Sequence, residues 1–444
     1  MANPLSQFLS RLAPEDKRFI RRIGVVALAF LAVSAVALYF LTKGIPEPDV
    51  ANAENALPVM DMPSIPDFAD GSHKVLDSLE VDSTNADTAF TTSALEITQG
   101  NQILDDFDGQ AHLQLMHQKA QEYNYKEAYR HAERIESRLL KNAELSAEWG
   151  HILLENGKVQ ESASVLSRIL NDPTITTAVK EDYIFALFRS GNTQAALDFA
   201  DGELKAAQTA EILTAKATII GEQPDSTKRT AADSIFKYTL KKFPKSPKAN
   251  YQYGRYLMQR GDFQNSKNYL EKAVQLAPKE PRYIARLGMA EFYLKNDSRA
   301  ETLYKKSLAL NPYDYNTWFN LGELYLSIAN ESTYIPAIRQ NTHRALQAYL
   351  KAIENDSLHS LSHYRVGVIL NGNGEQREAI KHLQIALNGT KDKIPPLQQL
   401  STSYTALGDT AKSVQYLEEI LEIDPFNKIA ANRLDALGAH RVRN

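Results

Sequence analysis

Two histidines four residues apart are the strongest candidates in this chain for side-chain chemistry. His359 and His363 lie at the expected start of a helix, with Asp356 just before them. A separation of four residues places two imidazoles on one helix face, where both can hold a metal ion. His112 and His117 are five residues apart and share a helix face less well. We interpret His359 and His363 as surface histidines at a junction between helical units, and we expect no metal or other cofactor.

Other patterns that support catalysis are missing from the sequence. It contains no glycine-rich phosphate-binding loop, no Gly-x-Ser-x-Gly and no His-Glu-x-x-His. The 444 residues include no cysteine, which excludes disulfides, thiolate zinc sites and cysteine nucleophiles. The formal net charge of −4 carries no signature of nucleic-acid binding. We therefore predict that the protein is not an enzyme and does not bind nucleic acid.

An apolar segment near the N-terminus predicts a transmembrane helix over residues 23–42. Residues 23–41 carry no charge, and a helix of this length spans roughly the ~30 Å hydrocarbon core of a bilayer. Residues 1–22 carry five basic and two acidic residues, which predicts a cytoplasmic tail. The expected location is a single pass through the inner (cytoplasmic) membrane, with the rest of the chain periplasmic or otherwise extracytoplasmic. The alternative is a cleaved signal peptide with Ala51-Asn52-Ala53 as its processing site.

Residues 43–108 read as an acidic, proline-rich tether. They contain two basic and fourteen acidic residues, and five prolines prevent a continuous helix over their first part. High charge of one sign with few large apolar residues favours disorder. Two apolar clusters interrupt the pattern, one at Val75, Leu76 and Leu79 and one between Leu95 and Phe107. They could form short helices or peptides that dock elsewhere.

A regular repeat follows the tether. Gly254, Gly288 and Gly322 are evenly spaced, and the first two are followed at the same distance by Pro278 and Pro312. Small and large apolar residues recur between them in phase, and weaker matches extend upstream. This pattern resembles the tetratricopeptide repeat (TPR), a helix-turn-helix unit with a period of about 34 residues.

The resemblance implies an all-α, right-handed superhelix, an α-solenoid of about nine helix pairs, over residues 109–426. The best-fitting units begin near residues 247, 281, 315, 360 and 394. An insertion from Glu331 to Asn341 interrupts one unit, and Pro336 is expected to begin a lengthened second helix there. Residues 427–444 are expected to cap the last repeat with an amphipathic helix that presents Ile429, Leu434 and Leu437.

In proteins of this family the first helix of each unit lines a concave groove. Carrying the repeat positions over to this chain gives nine candidate groove residues: Lys248, Tyr251, Arg255, Arg282, Arg286, Phe319, Asn320, Tyr364 and Arg365. Aromatic side chains among cations suit an extended acidic or carboxylate-bearing peptide, although tyrosine and arginine are also common on solvated helix faces. Ala285, Met289 and Leu361 depart from the clamp by which some TPR proteins grip a C-terminal carboxylate, so that variant is not expected.

These features together predict a membrane-anchored TPR scaffold. It would bind other proteins or extended acidic peptides through its groove, in envelope assembly, secretion or translocation. In layout the chain looks like the small anchored TPR subunits that accompany the bacterial protein-export channel, although it is much longer. Two alternatives remain: a self-inhibited regulatory adaptor whose acidic tether occupies its own groove, and a non-catalytic subunit of a membrane enzyme complex.

Overall fold

The computed structural model describes residues 94–438, and their side chains from residue 108 onward. The expected cytoplasmic tail (1–22), transmembrane helix (23–42) and most of the tether (43–108) lie outside the described residues, as do residues 439–444. Within the described range, no helix combines the length and apolar character needed to cross a membrane.

Residues 94–438 fold into helices joined by short turns, with no strand in that range. The helices are α1 (Ala94–Gln121), α2 (Tyr125–Glu133), α3 (Glu136–Leu139), α4 (Ala143–Glu155), α5 (Val159–Ser167), α6 (Thr177–Arg189), α7 (Thr193–Ala206), α8 (Ala210–Gly221), α9 (Ser226–Lys242), α10 (Pro247–Met258), α11 (Phe263–Leu276), α12 (Pro281–Tyr293), α13 (Asp297–Leu310), α14 (Tyr315–Glu331), α15 (Ile335–Asn355), α16 (Ser360–Gly372), α17 (Gln376–Gly389), α18 (Ile394–Ala406), α19 (Thr410–Ile423) and α20 (Lys428–Ala436).

Apart from the short α3 and the terminal α20, these helices pack as nine consecutive pairs. We number the pairs as repeats 1–9 and call the two helices of each repeat A and B, from α1 and α2 in repeat 1 to α18 and α19 in repeat 9. Helix A of one repeat also packs against helix A of the next, so the A helices form one continuous layer through much of the array. The all-helical solenoid and its number of repeats agree with the expectation from the sequence.

The register of every repeat is fixed by one small residue early in helix B. In all nine repeats its side chain is completely buried against helix A: Ala128, Ser162, Ala196, Ala232, Ser266, Ala300, Ala345, Ala379 and Ser413. Successive members keep one constant spacing, except that it is slightly longer between Ala196 and Ala232 and clearly longer between Ala300 and Ala345, where the insertion lies. The upstream repeats therefore keep the same register as the well-matched ones, with a short extra loop in repeat 4.

The glycines in helix A allow the two helices of a repeat to approach closely. A Cβ atom at Gly254 would lie 2.7 Å from the Leu270 side chain, and one at Gly367 would lie 2.6 Å from that of Leu383. Both leucines are fully buried in helix B. A side chain at these positions would have to displace well-packed atoms, which explains why glycine recurs at this repeat position.

The turn between helices A and B places one residue in the left-handed conformation. Five repeats use glycine there, with φ between 73° and 90°: Gly157, Gly191, Gly261, Gly374 and Gly408. Repeats 1 and 6 place Tyr123 (φ 60°) and Lys295 (φ 62°) at the same repeat position. A side chain in this region costs about 1 kcal/mol or more relative to glycine, so these two turns hold local strain.

The insertion in repeat 7 lengthens both of its helices. Helix α14 continues to Glu331, and α15 begins at Ile335 with Pro336 in its first turn. Proline is favoured there because the first helical N–H groups have no partner within the helix. This is the lengthened second helix expected from Pro336, and Tyr334 and Ile335 stand exposed at its start.

The two ends of the array differ in detail from the sequence-based boundaries. Helix α1 begins at Ala94, inside the range assigned to the tether, and runs without a break into repeat 1. At the other end, α20 buries Ala430 and Leu434 against repeat 9, with Leu437 packed beside them. Ile429, which was expected on this apolar face, is instead 57% exposed.

Candidate functional site

The nine candidate groove residues all lie on A helices, as expected. Helix α10 carries Lys248, Tyr251 and Arg255, α12 carries Arg282 and Arg286, α14 carries Phe319 and Asn320, and α16 carries Tyr364 and Arg365. The A helices present the same repeat positions one after another. The nine residues therefore lie in one layer of helices, but their neighbours differ from repeat to repeat.

Three of the candidate cations form ion pairs with carboxylates of other repeats. Lys248 Nζ of repeat 5 lies 2.6 Å from Glu181 Oε2 of repeat 3, and this ion pair bridges the two repeats. Arg255 pairs with Glu222 of repeat 4. Arg365 donates two hydrogen bonds of 2.7 Å to the carboxylate of Glu323 in repeat 7. These cations are neutralised within the solenoid, which reduces their capacity to attract an acidic peptide.

The Arg365–Glu323 pair is the most enclosed of these. The two side chains are 14% and 8% exposed, and Tyr349 donates a further hydrogen bond of 2.5 Å to Glu323. Burial lowers the pKa of Arg365, but the charge of Glu323 and its hydrogen bond raise it by more, so the guanidinium remains charged. A bidentate, charge-assisted pair of this kind fixes the mutual position of repeats 7 and 8.

Glu181 is completely buried beside Lys248. Burial raises the pKa of Glu181 to about 7, against the opposing effect of the Lys248 charge. The carboxylate therefore holds its proton far more readily than an exposed one.

A fourth candidate cation, Arg282, forms an ion pair between two distant repeats. Arg282 Nη1 of repeat 6 lies 3.1 Å from Glu155 Oε1 of repeat 2, a contact between residues 127 positions apart in the chain. Glu280 also lies 3.3 Å from Arg282 Nε. Burial raises the pKa of Glu155, but the charges of Arg282, His151 and Arg189 together lower it below its ordinary value. This ion pair thus bridges the A helices of repeats 2 and 6.

The candidate aromatic residues take part in packing between repeats. Tyr251 stacks on Tyr283 with 4.6 Å between ring centroids. Phe319 is only 7% exposed and packs against Tyr349 and His359. Phe319 therefore stabilises the core of repeats 7 and 8 and offers almost no surface to a partner, contrary to its assignment as a groove residue.

Arg286, Asn320 and Tyr364 remain as the accessible part of the predicted groove. All three are half-buried on the A helices of repeats 6–8. Arg286 Nη1 lies 3.5 Å from the sulfur of Met289, and no carboxylate of the described residues lies within ion-pair distance of it. Tyr364 has Arg365 over its ring at 5.9 Å. This part of the layer combines a cation, an amide and an aromatic ring.

Further polar pairs between A helices were not anticipated from the sequence. His117 Nδ1 lies 2.8 Å from Glu148, and His151 Nδ1 lies 2.8 Å from Asp182. In both pairs the acid follows the histidine by 31 residues and lies in the next repeat. Burial lowers the pKa of His151, but the hydrogen bond and charge of Asp182 raise it by more. The recurrence of this spacing was the signal available in the sequence.

The two histidines singled out for metal chemistry point to different partners. His359 Nδ1 lies 2.7 Å from Ser362 Oγ, whereas His363 is 3% exposed and shares a hydrogen bond of 2.9 Å with His382. Burial lowers the pKa of His363 and of His382, so both favour the neutral form. Within residues 108–438 no three histidine or acidic side chains cluster as a metal site would require. His363 is therefore a core histidine and not the surface residue expected.

Comparison with known proteins identifies the repeat type. A tetratricopeptide repeat family model matches residues 247–280 and 394–427, and a second one matches residues 303–347. The chain therefore carries tetratricopeptide repeats. The ranges 247–280 and 394–427 coincide with repeats 5 and 9, and the range 303–347 extends from helix B of repeat 6 into helix B of repeat 7.

Three known proteins illustrate how far the similarity extends. Superkiller complex protein 3 is 29% identical in Homo sapiens over 140 residues and in Mus musculus over 143 residues, which are 30% and 31% of this chain. The chain matches only 8% of the length of either relative. The crystal structure of the APC/C hetero-tetramer Cut9–Hcn1 superposes with a TM-score of 0.51 and 17% identity over 70% of this chain and 59% of that one. At this identity the likeness shows the fold alone.

Proposed function

We propose that this protein is a TPR scaffold that binds protein partners through the A-helix layer of repeats 6–8 and is anchored in a membrane by residues 23–42. The observation that supports it best is that Arg286, alone among the five candidate cations, has no carboxylate of the described residues within ion-pair distance. The other four are all paired with carboxylates within the solenoid: Lys248, Arg255, Arg282 and Arg365. In repeats 6–8, Arg286, Asn320 and Tyr364 remain accessible.

The chemistry of this surface suits an extended peptide that carries a carboxylate. Arg286 can pair with the carboxylate, the amide of Asn320 can both donate to and accept from a peptide backbone, and Tyr364 offers a ring for an apolar side chain. Proteins built from these repeats are generally non-catalytic scaffolds. By their names, the relatives come from a superkiller complex and from an APC/C hetero-tetramer, which agrees with a role in assembling other proteins.

Affinity purification of the full chain from native membranes tests the surface. We expect partner proteins to co-purify with the wild type and with Lys306→Met, an exposed cation on helix B of repeat 6, but not with Arg286→Met. Loss of the same proteins with Lys306→Met would show a general electrostatic effect. Retention of all of them with Arg286→Met would place the binding surface elsewhere.

The membrane anchor is proposed from the sequence of residues 23–41 and the charge on either side of it. The absence of cysteine makes its topology directly testable, because a single introduced cysteine is then the only thiol. In intact cells, a membrane-impermeant maleimide should label a cysteine at exposed Lys306 and not one at Ser6. Labelling of Ser6→Cys alone would reverse the orientation, and recovery of a chain lacking residues 1–53 would favour the cleaved signal peptide.

Two alternative functions are a self-inhibited adaptor and a non-catalytic subunit of a membrane enzyme complex. A tether lying in the concave groove has little support, because most groove cations already have carboxylate partners. A non-catalytic subunit of a membrane enzyme complex would use the same surface. The identity of the co-purified proteins separates that case from envelope assembly, secretion or translocation.

A further inference from the structure

We propose that a cleft between repeats 4 and 5, edged by Lys237, Lys241 and Lys272, binds residues 75–82 of this chain's own acidic tether. The cleft lies where α9, the following turn, α10 and α11 meet, and its cavity volume is about 280 Å³. It is separate from the A-helix surface of repeats 6–8, so the proposal stands independently of the partner-binding function above.

The charge of helix α9 and repeat 5 singles out this region. Residues 226–279 contain twelve basic and three acidic residues, although the whole chain has a net charge of −4. Lys248, Arg255 and Lys267 of this stretch pair with acids outside it. The other nine basic residues are exposed: Lys228, Arg229, Lys237, Lys241, Lys242, Lys245, Arg260, Lys272 and Lys279.

The cleft itself combines an apolar floor with a cationic edge. Leu240, Pro244 and Tyr269 line it together with the three lysines. Lys272 Nζ lies 5.1 Å from the centre of the Tyr269 ring. Neither Lys241 nor Lys272 lies within ion-pair distance of a carboxylate of the described residues.

One acid near the cleft is already satisfied. Asp233 pairs with Lys237 at 2.7 Å and accepts a hydrogen bond of 2.8 Å from the hydroxyl of Tyr253. Tyr253 in turn contacts the Tyr269 ring edge-on at 4.7 Å. Asp233 therefore offsets part of the charge of Lys237 and leaves the opposite edge of the cleft, at Lys241 and Lys272, positively charged.

The tether contains a segment with the complementary pattern. Residues 75–82 read VLDSLEVD, in which four apolar residues are interspersed with Asp77, Glu80 and Asp82. An apolar side chain can enter the cleft while the neighbouring carboxylates meet the lysines at its edge. In this contact, the apolar residues of the tether segment fill the cleft and its acidic residues pair with the lysines.

Covalent attachment favours this contact over one with a separate molecule. The residues between Asp82 and Ala94 can extend over about 40 Å, and helices four repeats apart approach closely in this array, as the 3.1 Å contact between Arg282 of repeat 6 and Glu155 of repeat 2 shows. A ligand on a short flexible linker whose relaxed length matches the span has an effective concentration on the order of millimolar. Because the contact is electrostatic and exposed, it should weaken as salt is added.

Paired spin labels on the purified full chain, held in detergent micelles, test the contact. Ser78→Cys and Ser234→Cys place one label in the tether and one on α9 beside the cleft, in a chain with no other thiol. At low salt we expect a population with a short separation between the labels. The triple variant Lys237→Glu, Lys241→Glu and Lys272→Glu should reduce that population by at least about threefold.

A charge exchange makes the test specific. Adding Asp77→Lys, Glu80→Lys and Asp82→Lys to the triple variant should restore the short separation. The matched control Lys306→Glu, Lys391→Glu and Lys393→Glu changes three exposed lysines elsewhere and should leave it unchanged. The proposal is overturned if the separation between the labels changes neither with charge reversal nor with salt. It is also overturned if the cleft binds anionic lipid vesicles and the free chain shows no short separation.

Discussion

Arg286 and Arg365 occupy the same position in repeats 6 and 8 but should respond in opposite ways to the same substitution. Each arginine is the sixth residue of its repeat, counted from Pro281 and Ser360. Arg365 is buried in a bidentate pair with a carboxylate, whereas Arg286 is half-buried beside a thioether sulfur. We predict that methionine at position 365 destabilises the fold and leaves the partner surface in place, and that methionine at position 286 does the reverse.

The magnitude follows from burial. With Arg365 removed, Glu323 is left 8% exposed without its cation, and breaking a buried pair in this way costs about 3–5 kcal/mol. Replacing both partners by apolar residues, as in Arg365→Met with Glu323→Leu, should recover most of this loss, because no buried charge remains unpaired. Arg286→Met loses no ion pair, so a change within about 0.5 kcal/mol is expected.

Thermal unfolding of the full chain in micelles, followed by helical circular dichroism, measures these differences. At about 2.1 cal/mol/K of unfolding entropy per residue, a solenoid of this size should show a decrease in Tm of roughly 4–7 °C for Arg365→Met. Equal Tm values for the two single variants would refute the reasoning. A double variant less stable than Arg365→Met alone would also refute it, since the cost would then not come from an uncompensated charge.

Three further predictions concern the repeats themselves. Gly367→Ala should destabilise by about 1–2 kcal/mol, because overpacking against Leu383 outweighs the helix propensity of alanine; its control Gly202→Ala, in a helix with open space at that position, should stabilise by up to about 1 kcal/mol in urea unfolding. Glu181→Gln should be more stable than the wild type at pH 8 by on the order of 3 kcal/mol and equal to it near pH 4. The reason is that a folded-state pKa raised to about 7 lowers stability as pH rises through the window from about 4.5 to 7. Lys295→Gly should raise Tm slightly, since it relieves about 1 kcal/mol of left-handed strain at the cost of some entropy, and an unchanged or lower Tm would count against strain in this turn.

The sequence predicted the repeats because their determinants are local. The spacing of Gly254, Gly288 and Gly322 reports contacts within one repeat, where helix B always meets the same position of helix A. Pro336 likewise predicted the start of α15 from the chemistry of a first helical turn alone. The register upstream was harder to read because Ile184 and Thr218 replace the glycine, yet the buried small residue of helix B is kept.

The groove was only partly predictable because its partners come from distant repeats. Glu323 lies 42 residues before Arg365, and Glu155 lies 127 residues before Arg282. The repeat position predicts on which side of the helix a residue lies. It does not predict which carboxylate of another repeat will lie within ion-pair distance. Candidate cations that fill internal ion pairs and those that face a partner therefore look alike in the sequence.

Photo-crosslinking in native membranes tests the central claim most directly. A photoreactive amino acid at Asn320, on the A-helix surface, should capture a specific partner protein, and one at Lys351, exposed on helix B of repeat 7, should not. Mass spectrometry would identify the partner and the peptide that it inserts. Equal capture at both positions, or capture at neither by a chain that is correctly folded, would contradict a binding surface on the A helices of repeats 6–8.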